Sequence, residues 1–157
     1  MDLIPLAPRA RWLFHLQALF QLALVGPPVV IGIVVGLSFV TDFIWAVGAA
    51  LAVGLLGTLF SLWLPTLAFA AWGYRLGEDD LLIQQGVILR RLTAIPASRI
   101  QHVDTYQGPL DRIFGLARVH VYTASGSGAD GVIPGLLLAE ATRLRDRLIR
   151  VGEDDAV

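Results

Sequence analysis

Two long stretches without a charged side chain constrain this chain more than any other feature. No charged residue lies between Arg11 and Asp42, and none lies between Asp42 and Arg75. Each stretch exceeds the roughly 20 apolar residues that a helix needs to cross the hydrocarbon core of a bilayer. Charged residues make up only 16 % of the chain, against about 25 % in a typical soluble domain. The sequence therefore predicts two membrane-spanning helices, at residues 12–40 and at residues 43–64 with an extension to 72.

The connection between these helices is too short for anything but a direct reversal. Only Thr41 and Asp42 separate them, so residues 12–72 are expected to form a helical hairpin whose two ends lie on the same side of the membrane. Basic residues flank the hairpin at that side, namely Arg9, Arg11 and Arg75. Because positively charged residues favour the cytoplasmic side, we expect a multi-pass protein with both termini in the cytoplasm. Residues 1–11 then form a cytoplasmic N-terminal segment.

Small residues recur at helical spacing on both predicted helices. Such residues let two helices approach closely in a membrane. The glycines of the second helix are expected to pack against the glycine pair of the first helix, or against another copy of the protein. These candidate residues for helix packing are Gly32, Gly36, Gly48, Gly54 and Gly57.

The first helix also contains features that break the apolar pattern. Pro27 and Pro28 remove two backbone donors, which predicts a bent helix, or alternatively a half-length re-entrant segment or a functional hinge. Polar side chains inside a membrane suggest a functional hypothesis, here a small transport or permeability component built from oligomerised hairpins. A histidine that reaches the interface and glutamines that bond the second helix are favoured over it. The residues that support this alternative function are His15, Gln17 and Gln21.

Residues 73–152 have the pattern of a small soluble domain. Short β-rich segments come first, bounded by glycine, proline and acidic turn residues, at 74–76, 81–85, 87–95, 100–107, 116–123 and 131–134, with a short helical turn at 110–114 and a hairpin loop at 125–128. The apolar residues then change to a spacing of 4, 3, 4 and 3, which predicts one amphipathic helix, in Leu137, Ala141, Leu144, Leu148 and Val151. An acidic tail follows at 153–157. The fold class is therefore α+β, a sheet or small barrel capped by a C-terminal helix.

Several blocks in this domain resemble those of a known family. They run Arg99-Ile100-Gln101-His102-Val103, then Gln107-Gly108-Pro109-Leu110, then Arg112, Phe114 and Gly115. In this order they resemble the bacterial PH-like domain of the YdbS type, and the likeness covers essentially the whole chain, the hairpin included. It implies a bacterial cytoplasmic membrane protein with a strongly bent sheet of about seven strands, plugged by a C-terminal helix. It implies no catalytic activity and supplies no ligand.

The residues that could carry chemistry are few. The chain has no cysteine, and neither a catalytic set, a metal site nor a cofactor is indicated. His102, Asp104 and Tyr106 are spaced by two and therefore share one strand face; a solvated polar face is favoured over a metal or acid–base site. The candidate binding residues are Arg99, Gln101, Gln107 and Arg112. They could bind an anionic group or a partner peptide, or they could form a structural network around the Gly108-Pro109 turn.

Charge limits the partners. The net charge of −1 gives no field that would attract nucleic acid. The first hairpin loop, at 77–80, holds three carboxylates where phosphoinositide-binding PH domains have basic residues, which argues against phosphoinositides. Arg90 and Arg91 form a weak patch that could meet anionic lipid. The sequence thus predicts a non-enzymatic, membrane-anchored interaction module whose partners are the lipid bilayer and either copies of itself or a sister membrane protein.

Overall fold

The computed structural model describes residues 3–77, 79–124 and 128–154, and the side chains among them up to Val151. Position 78 of the predicted acidic loop, positions 125–127 of the predicted hairpin loop and the last three residues of the acidic tail lie outside the described residues. The chain divides into two compact units. One is helical and comprises Phe14–Leu67, and the other combines Met1–Leu13 with Ala68–Val157.

The predicted pair of long apolar helices is confirmed. Helix α1 spans Ala10–Ser38 and α2 spans Phe43–Ala71, with 29 residues each, or about 44 Å. Helix α1 is continuous through Pro27 and Pro28, so no re-entrant break occurs there. Of the residues in α2 only Ala46, Ala50 and Pro65 are buried, and most large apolar side chains of both helices are exposed. Such helices are not the core of a soluble protein, and lipid is the solvent that their surface fits.

The soluble unit is built from two antiparallel three-stranded sheets. The first sheet has the order β1-β2-β3, with β1 at Gly73–Leu76, β2 at Asp80–Gln85 and β3 at Arg91–Pro96. After a 3-10 turn at Ala97–Arg99, the second sheet has the order β4-β5-β6, with β4 at Ile100–Tyr106, β5 at Leu116–Thr123 and β6 at Gly131–Leu137. The short helix α3, Pro109–Ile113, connects β4 to β5, and α4, Leu138–Asp154, follows β6.

Two predicted strand boundaries differ from the structure by more than one residue. The strand expected at 87–95 begins only at Arg91, because the preceding residues form the turn from β2. The strand expected to end at Pro134 continues to Leu137. Leu136 and Leu137 pair with β5, and the register shifts between Ala117 and Val119, so one extra residue of β6 forms a bulge. A proline is tolerated at such a position, on an edge strand where its missing N–H is not needed.

One face of the second sheet and helix α4 enclose the core of the soluble unit. The helix contacts β4, β5 and β6 through the predicted apolar stripe, in which Ala141 and Leu148 are fully buried. The sheet contributes alternate residues of its strands, which are Val103, Ala117, Val119, Val121 and Ile133. The structure thus confirms the α+β architecture with a C-terminal helix.

The residues before the transmembrane part of α1 belong to the soluble unit. Residues 3–13, here called the N-terminal strap, pair with β1 because Ile4 and Tyr74 exchange two backbone hydrogen bonds, of 2.7 and 3.0 Å. The N–H of Ala7 donates to the carbonyl of Gly135 at 3.1 Å. The apolar side chains of the strap that are buried are Leu6, Ala7, Ala10 and Leu13. The segment expected as a separate N-terminal piece is therefore integrated into the sheet domain.

Gly135 makes the contact with the strap possible, and we expect its replacement to weaken the soluble unit. Its φ is +66°, and a Cβ at this position would lie 2.5 Å from the Cβ of Ala10. Gly135→Ala should lower the free energy of unfolding by roughly 2–4 kcal/mol, from left-handed backbone strain and overpacking. Thermal unfolding of the detergent-solubilised full chain measures this. Gly128→Ala is the matched control, since nothing lies within 4 Å of its added Cβ; equal melting temperatures for the two variants would contradict the prediction.

The side chain of Tyr74 is buried, with Glu140 and Arg147 of α4 near its phenol, which predicts a loss of stability in alkali. Burial raises the pKa of Tyr74 above 10.0, Glu140 raises it further, and Arg147 opposes both. The fold therefore favours the neutral phenol. The contribution of the buried phenol to the free energy of unfolding is complete below the pKa of about 10 in the unfolded chain. It decreases as the pH rises through the higher pKa in the folded chain. Tyr74→Phe should reduce the decrease in melting temperature above about pH 10. Tyr106→Phe, at a side chain that is exposed, should leave that decrease as in the unaltered chain; a result in which both variants behave alike would exclude Tyr74 as the cause.

Candidate functional site

The outer face of the second sheet, opposite α4, carries an ordered set of polar and aromatic side chains. Antiparallel pairing places His102 opposite Tyr122, Asp104 opposite His120, and Tyr106 opposite Arg118. Their strand neighbours Val103, Val119 and Val121 point to the core, because side chains alternate along a strand. We call this set of six residues the polar face.

Short contacts link the members of the polar face. The Nε2 atom of His102 lies 2.8 Å from a carboxylate oxygen of Asp104, with side chains 66 % and 52 % exposed. The ring centres of His102 and Tyr122 are 5.9 Å apart, and those of His120 and Tyr122 are 6.5 Å apart. Exposed pairs of this kind contribute little to stability. The face can donate and accept hydrogen bonds and can offer aromatic surface, which is the chemistry of a binding surface.

The structure also bears on the alternative of a metal or acid–base site at these residues. Among the described residues, no group of three or more His, Asp or Glu side chains is arranged to hold a metal ion. The nearest approach is the pair of His102 and Asp104, which share the edge strand β4. The interpretation of these residues as a solvated polar face stays a prediction.

A buried ion pair fixes one end of the polar face. The carboxylate of Asp111 is fully buried. It accepts a hydrogen bond from the N–H of Gly108 at 3.0 Å and another from Nε of Arg118 at 3.1 Å. Arg118 is one third exposed, so its guanidinium joins the buried carboxylate to the surface. Helix α3 thereby holds the arginine that lies opposite Tyr106.

Sequence reasoning did not single out Asp111. The available signal was its position three residues after Gly108, with Pro109 at the first position of the helix. An acidic residue at this spacing returns to the backbone N–H at the start of a helix. Its second partner, Arg118, could not be found this way, because that contact depends on how α3 packs on β5.

The four predicted binding residues do not form one cluster. Gln107 donates from Nε2 to the carbonyl of Leu116 at 2.7 Å, which fixes the connection between β4 and β5. Arg99, Gln101 and Arg112 are exposed. Within the described part of the chain, no hydrogen bond or ion pair joins these three side chains to one another. The contact of Gln107 fits the structural reading of this set, and an anion-binding role for the two arginines stays a prediction.

The predicted packing glycines divide into two groups. A Cβ on Gly54 would lie 3.7 Å from Val30, and one on Gly57 would lie 3.6 Å from Leu22. Both distances are ordinary contacts, so these two glycines face α1. Nothing lies within 4 Å of a Cβ placed on any of the other three, which are Gly32, Gly36 and Gly48. The expected contact of Gly32 and Gly36 with the second helix is therefore absent, and their surface is free within the described chain.

A cleft of about 330 Å³ opens between the start of β6 and the strands β2 and β3. Its polar lining consists of Gln85, Arg91, Thr93 and Asp130. The carboxylate of Asp130 already accepts hydrogen bonds from the backbone N–H and the hydroxyl of Thr123, at 2.9 and 2.6 Å. That carboxylate therefore supports the end of β5 and is not directed to a ligand.

Comparison with known proteins identifies similar chains. The model of the bacterial PH domain family matches residues 17–151. The UPF0699 transmembrane protein YdbS of Bacillus subtilis (strain 168) is 39 % identical over 115 residues, which cover 71 % of this chain and 70 % of that protein. The UPF0699 transmembrane protein YdbT of the same strain is 29 % identical over 99 residues, covering 60 % of this chain but only 20 % of that longer protein. No solved structure matches.

We expect the buried ion pair, and not the exposed one, to stabilise the soluble unit. Asp111→Ala removes the partner of Arg118 and of the Gly108 N–H, and should cost roughly 3 kcal/mol, the lower end of the range for a broken buried pair because Arg118 can still reach water. Asp104→Ala removes the exposed partner of His102 and should cost less than about 1 kcal/mol. Denaturant unfolding of the full chain in detergent compares the two. Equal losses would mean that burial of Asp111 does not govern its contribution.

Proposed function

The chain belongs to the bacterial PH domain family, and from this membership we propose that it is a membrane-anchored, non-enzymatic interaction module at the cytoplasmic face of the cell membrane. In this proposal the helical hairpin anchors the module and associates with other copies of the chain or with a sister membrane protein. The soluble unit then presents the polar face to a protein partner.

The anchoring role is supported by the helices and by the relatives. Both relatives named above are called transmembrane proteins, and both helices here have the length and apolar surface for a span. The pairing of Ile4 with Tyr74 adds a further argument. One of these residues precedes α1 and the other follows α2. A direct backbone contact between them requires both segments to lie on the same side of the membrane, as in the proposed topology. The arginines near the helix ends favour the cytoplasm.

The proposal of association rests on a stripe of residues on the exposed side of α1. Gln21, Pro28, Gly32 and Gly36 follow one another at intervals of 7, 4 and 4 residues, so they lie along one side of the helix. All four are exposed, and the two glycines have no neighbour within 4 Å of an added Cβ. Small residues allow a second helix to approach, and a glutamine amide in hydrocarbon needs a hydrogen-bond partner. We call these four residues the outer stripe.

The soluble unit offers a surface for a further partner. In the second sheet, the outer edge of β4 takes no additional strand within the described chain, so an extended peptide could add to that edge. The edge of β6 already accepts a backbone hydrogen bond from the strap at Gly135. The polar face adjoins the β4 edge, because His102, Asp104 and Tyr106 all lie on that strand. Main-chain pairing and contacts to the polar face can therefore act on the same partner.

Substitutions in the outer stripe should weaken association of the full chain in vesicles. Gly32→Leu blocks close approach and Gln21→Leu removes the amide, so each should weaken dimerisation by about 1 kcal/mol, roughly fivefold. Energy transfer between donor-labelled and acceptor-labelled chains, measured while lipid is added to dilute them, reports the affinity.

Gly48→Leu is the matched control for this experiment. It makes the same change at an equally open glycine on α2, and the affinity should then be that of the unaltered chain. If the unaltered chain shows no more energy transfer than unassociated chains would, self-association is refuted. An effect of Gly48→Leu without an effect of Gly32→Leu would refute the role of the outer stripe.

A further inference from the structure

The turn between β2 and β3 carries the most exposed aliphatic side chains of the soluble unit among the described residues. Ile88 is 90 % exposed and Leu89 is 85 % exposed, and Leu92 at the start of β3 is 52 % exposed. We call residues 87–92 the β2–β3 tip. In a soluble protein, the turn between two strands normally carries polar residues, glycine or proline. No element of the described soluble unit covers these three aliphatic side chains.

Two arginines lie within the same short segment. Arg90 and Arg91 are both exposed, and neither forms an ion pair with a described carboxylate. Exposed aliphatic side chains beside unpaired basic ones match the boundary between headgroups and acyl chains of an anionic bilayer. The occupant indicated by this pattern is lipid, since a protein partner of an apolar patch would not require the positive charges.

The register of the first sheet places the tip at the end from which the chain leaves the membrane. Strand β1 begins at Gly73, two residues after the end of α2 at Ala71. Gly73 pairs with Gln84, and β2 runs antiparallel to β1. The tip therefore projects past Gly73 in the direction of the end of α2. Its residues lie about three or more positions beyond Gln84, or roughly 10 Å along the strand.

The opposite end of the same sheet has the opposite charge. The turn from β1 to β2 contains Asp79, which is exposed, and Asp80. The sheet is therefore polarised along its strands, with carboxylates at the end away from α2 and arginines with aliphatic side chains at the end near it. This polarity orients the sheet on a negatively charged surface.

The conformation of the tip is set by Gly86. Its φ is +100°, and a side chain there would collide with the carbonyl oxygen of Leu89. The turn therefore directs Ile88 and Leu89 outward without a rearrangement, so little conformational entropy is lost when they are buried.

We propose that the β2–β3 tip inserts into the anionic bilayer that the chain itself spans. Ile88 and Leu89 enter the edge of the acyl region, and Arg90 and Arg91 bind lipid phosphates. The tip then acts as a third attachment of the soluble unit to the membrane, in addition to the two chain connections. This inference does not depend on self-association, because the outer stripe and the tip are separate segments with separate readouts.

The absence of cysteine permits a direct test in the full chain. Ile88→Cys and Leu89→Cys are each labelled with an environment-sensitive fluorophore, and Asp79→Cys at the opposite end of the sheet is the matched control. The chains are reconstituted in vesicles that contain phosphatidylglycerol, with a nitroxide quencher on the upper part of the lipid acyl chain. Labels at 88 and 89 should be quenched at least about threefold more strongly than the label at 79, since the two turns lie at opposite ends of the sheet and only the tip is proposed to enter the bilayer.

The charge component is tested in the same vesicles. Combining Arg90→Gln and Arg91→Gln with Ile88→Cys should reduce the quenching, and so should replacing phosphatidylglycerol by phosphatidylcholine or raising the salt. Equal quenching at positions 79 and 88 would overturn the proposal. It would also be overturned by a label at 88 that both the lipid quencher and an aqueous quencher fail to reach, since the tip would then be covered by protein.

Discussion

The two backbone hydrogen bonds between Ile4 and Tyr74 join the segment that leads into α1 to the segment that leaves α2. The rest of the strap follows from this pairing, which leads Leu6 and Ala10 to Gly135. Backbone N–H and carbonyl groups at a sheet edge must find partners, and the strap supplies them to β1 at this point. An extended segment before the first helix is thereby tied to a strand that follows the second helix.

This pairing also limits what the helices can do. Because Ile4 precedes α1 and Tyr74 follows α2, the pairing keeps the two chain ends of the hairpin next to each other. Most of the surface of the helices is available to lipid or to other helices, since few of their side chains are buried. The outer stripe on α1 is the part of that surface where small and polar residues replace the lipid-facing aliphatic ones. It is therefore the part at which we propose association.

The exposed surfaces of the two sheets of the soluble unit differ in their chemistry. The first sheet has an aliphatic and basic tip near the end of α2 and an acidic turn at the other end. The second sheet has α4 on one side and the polar face on the other, with Arg118 held in place by the buried carboxylate of Asp111. In our proposals, the first sheet binds the bilayer and the second sheet binds a protein partner. A domain close to a membrane can use both at once.

The sequence alone determined which part of the chain is suited to lipid and which part is suited to water. Uncharged stretches of about 30 residues can only be helices in lipid, since backbone polar groups have no water there, and the change from alternating to helical spacing placed α4. The family blocks identified the domain type, which the family model and the relatives then supported. Local patterns predicted these features because they depend on local physics. The strap, the partner of Asp111, the openness of Gly32 and the orientation of the tip were decided by the tertiary structure. Each depends on strand register or on contacts between residues far apart in the chain. The local spacing of residues in a sequence does not show which distant residues come into contact.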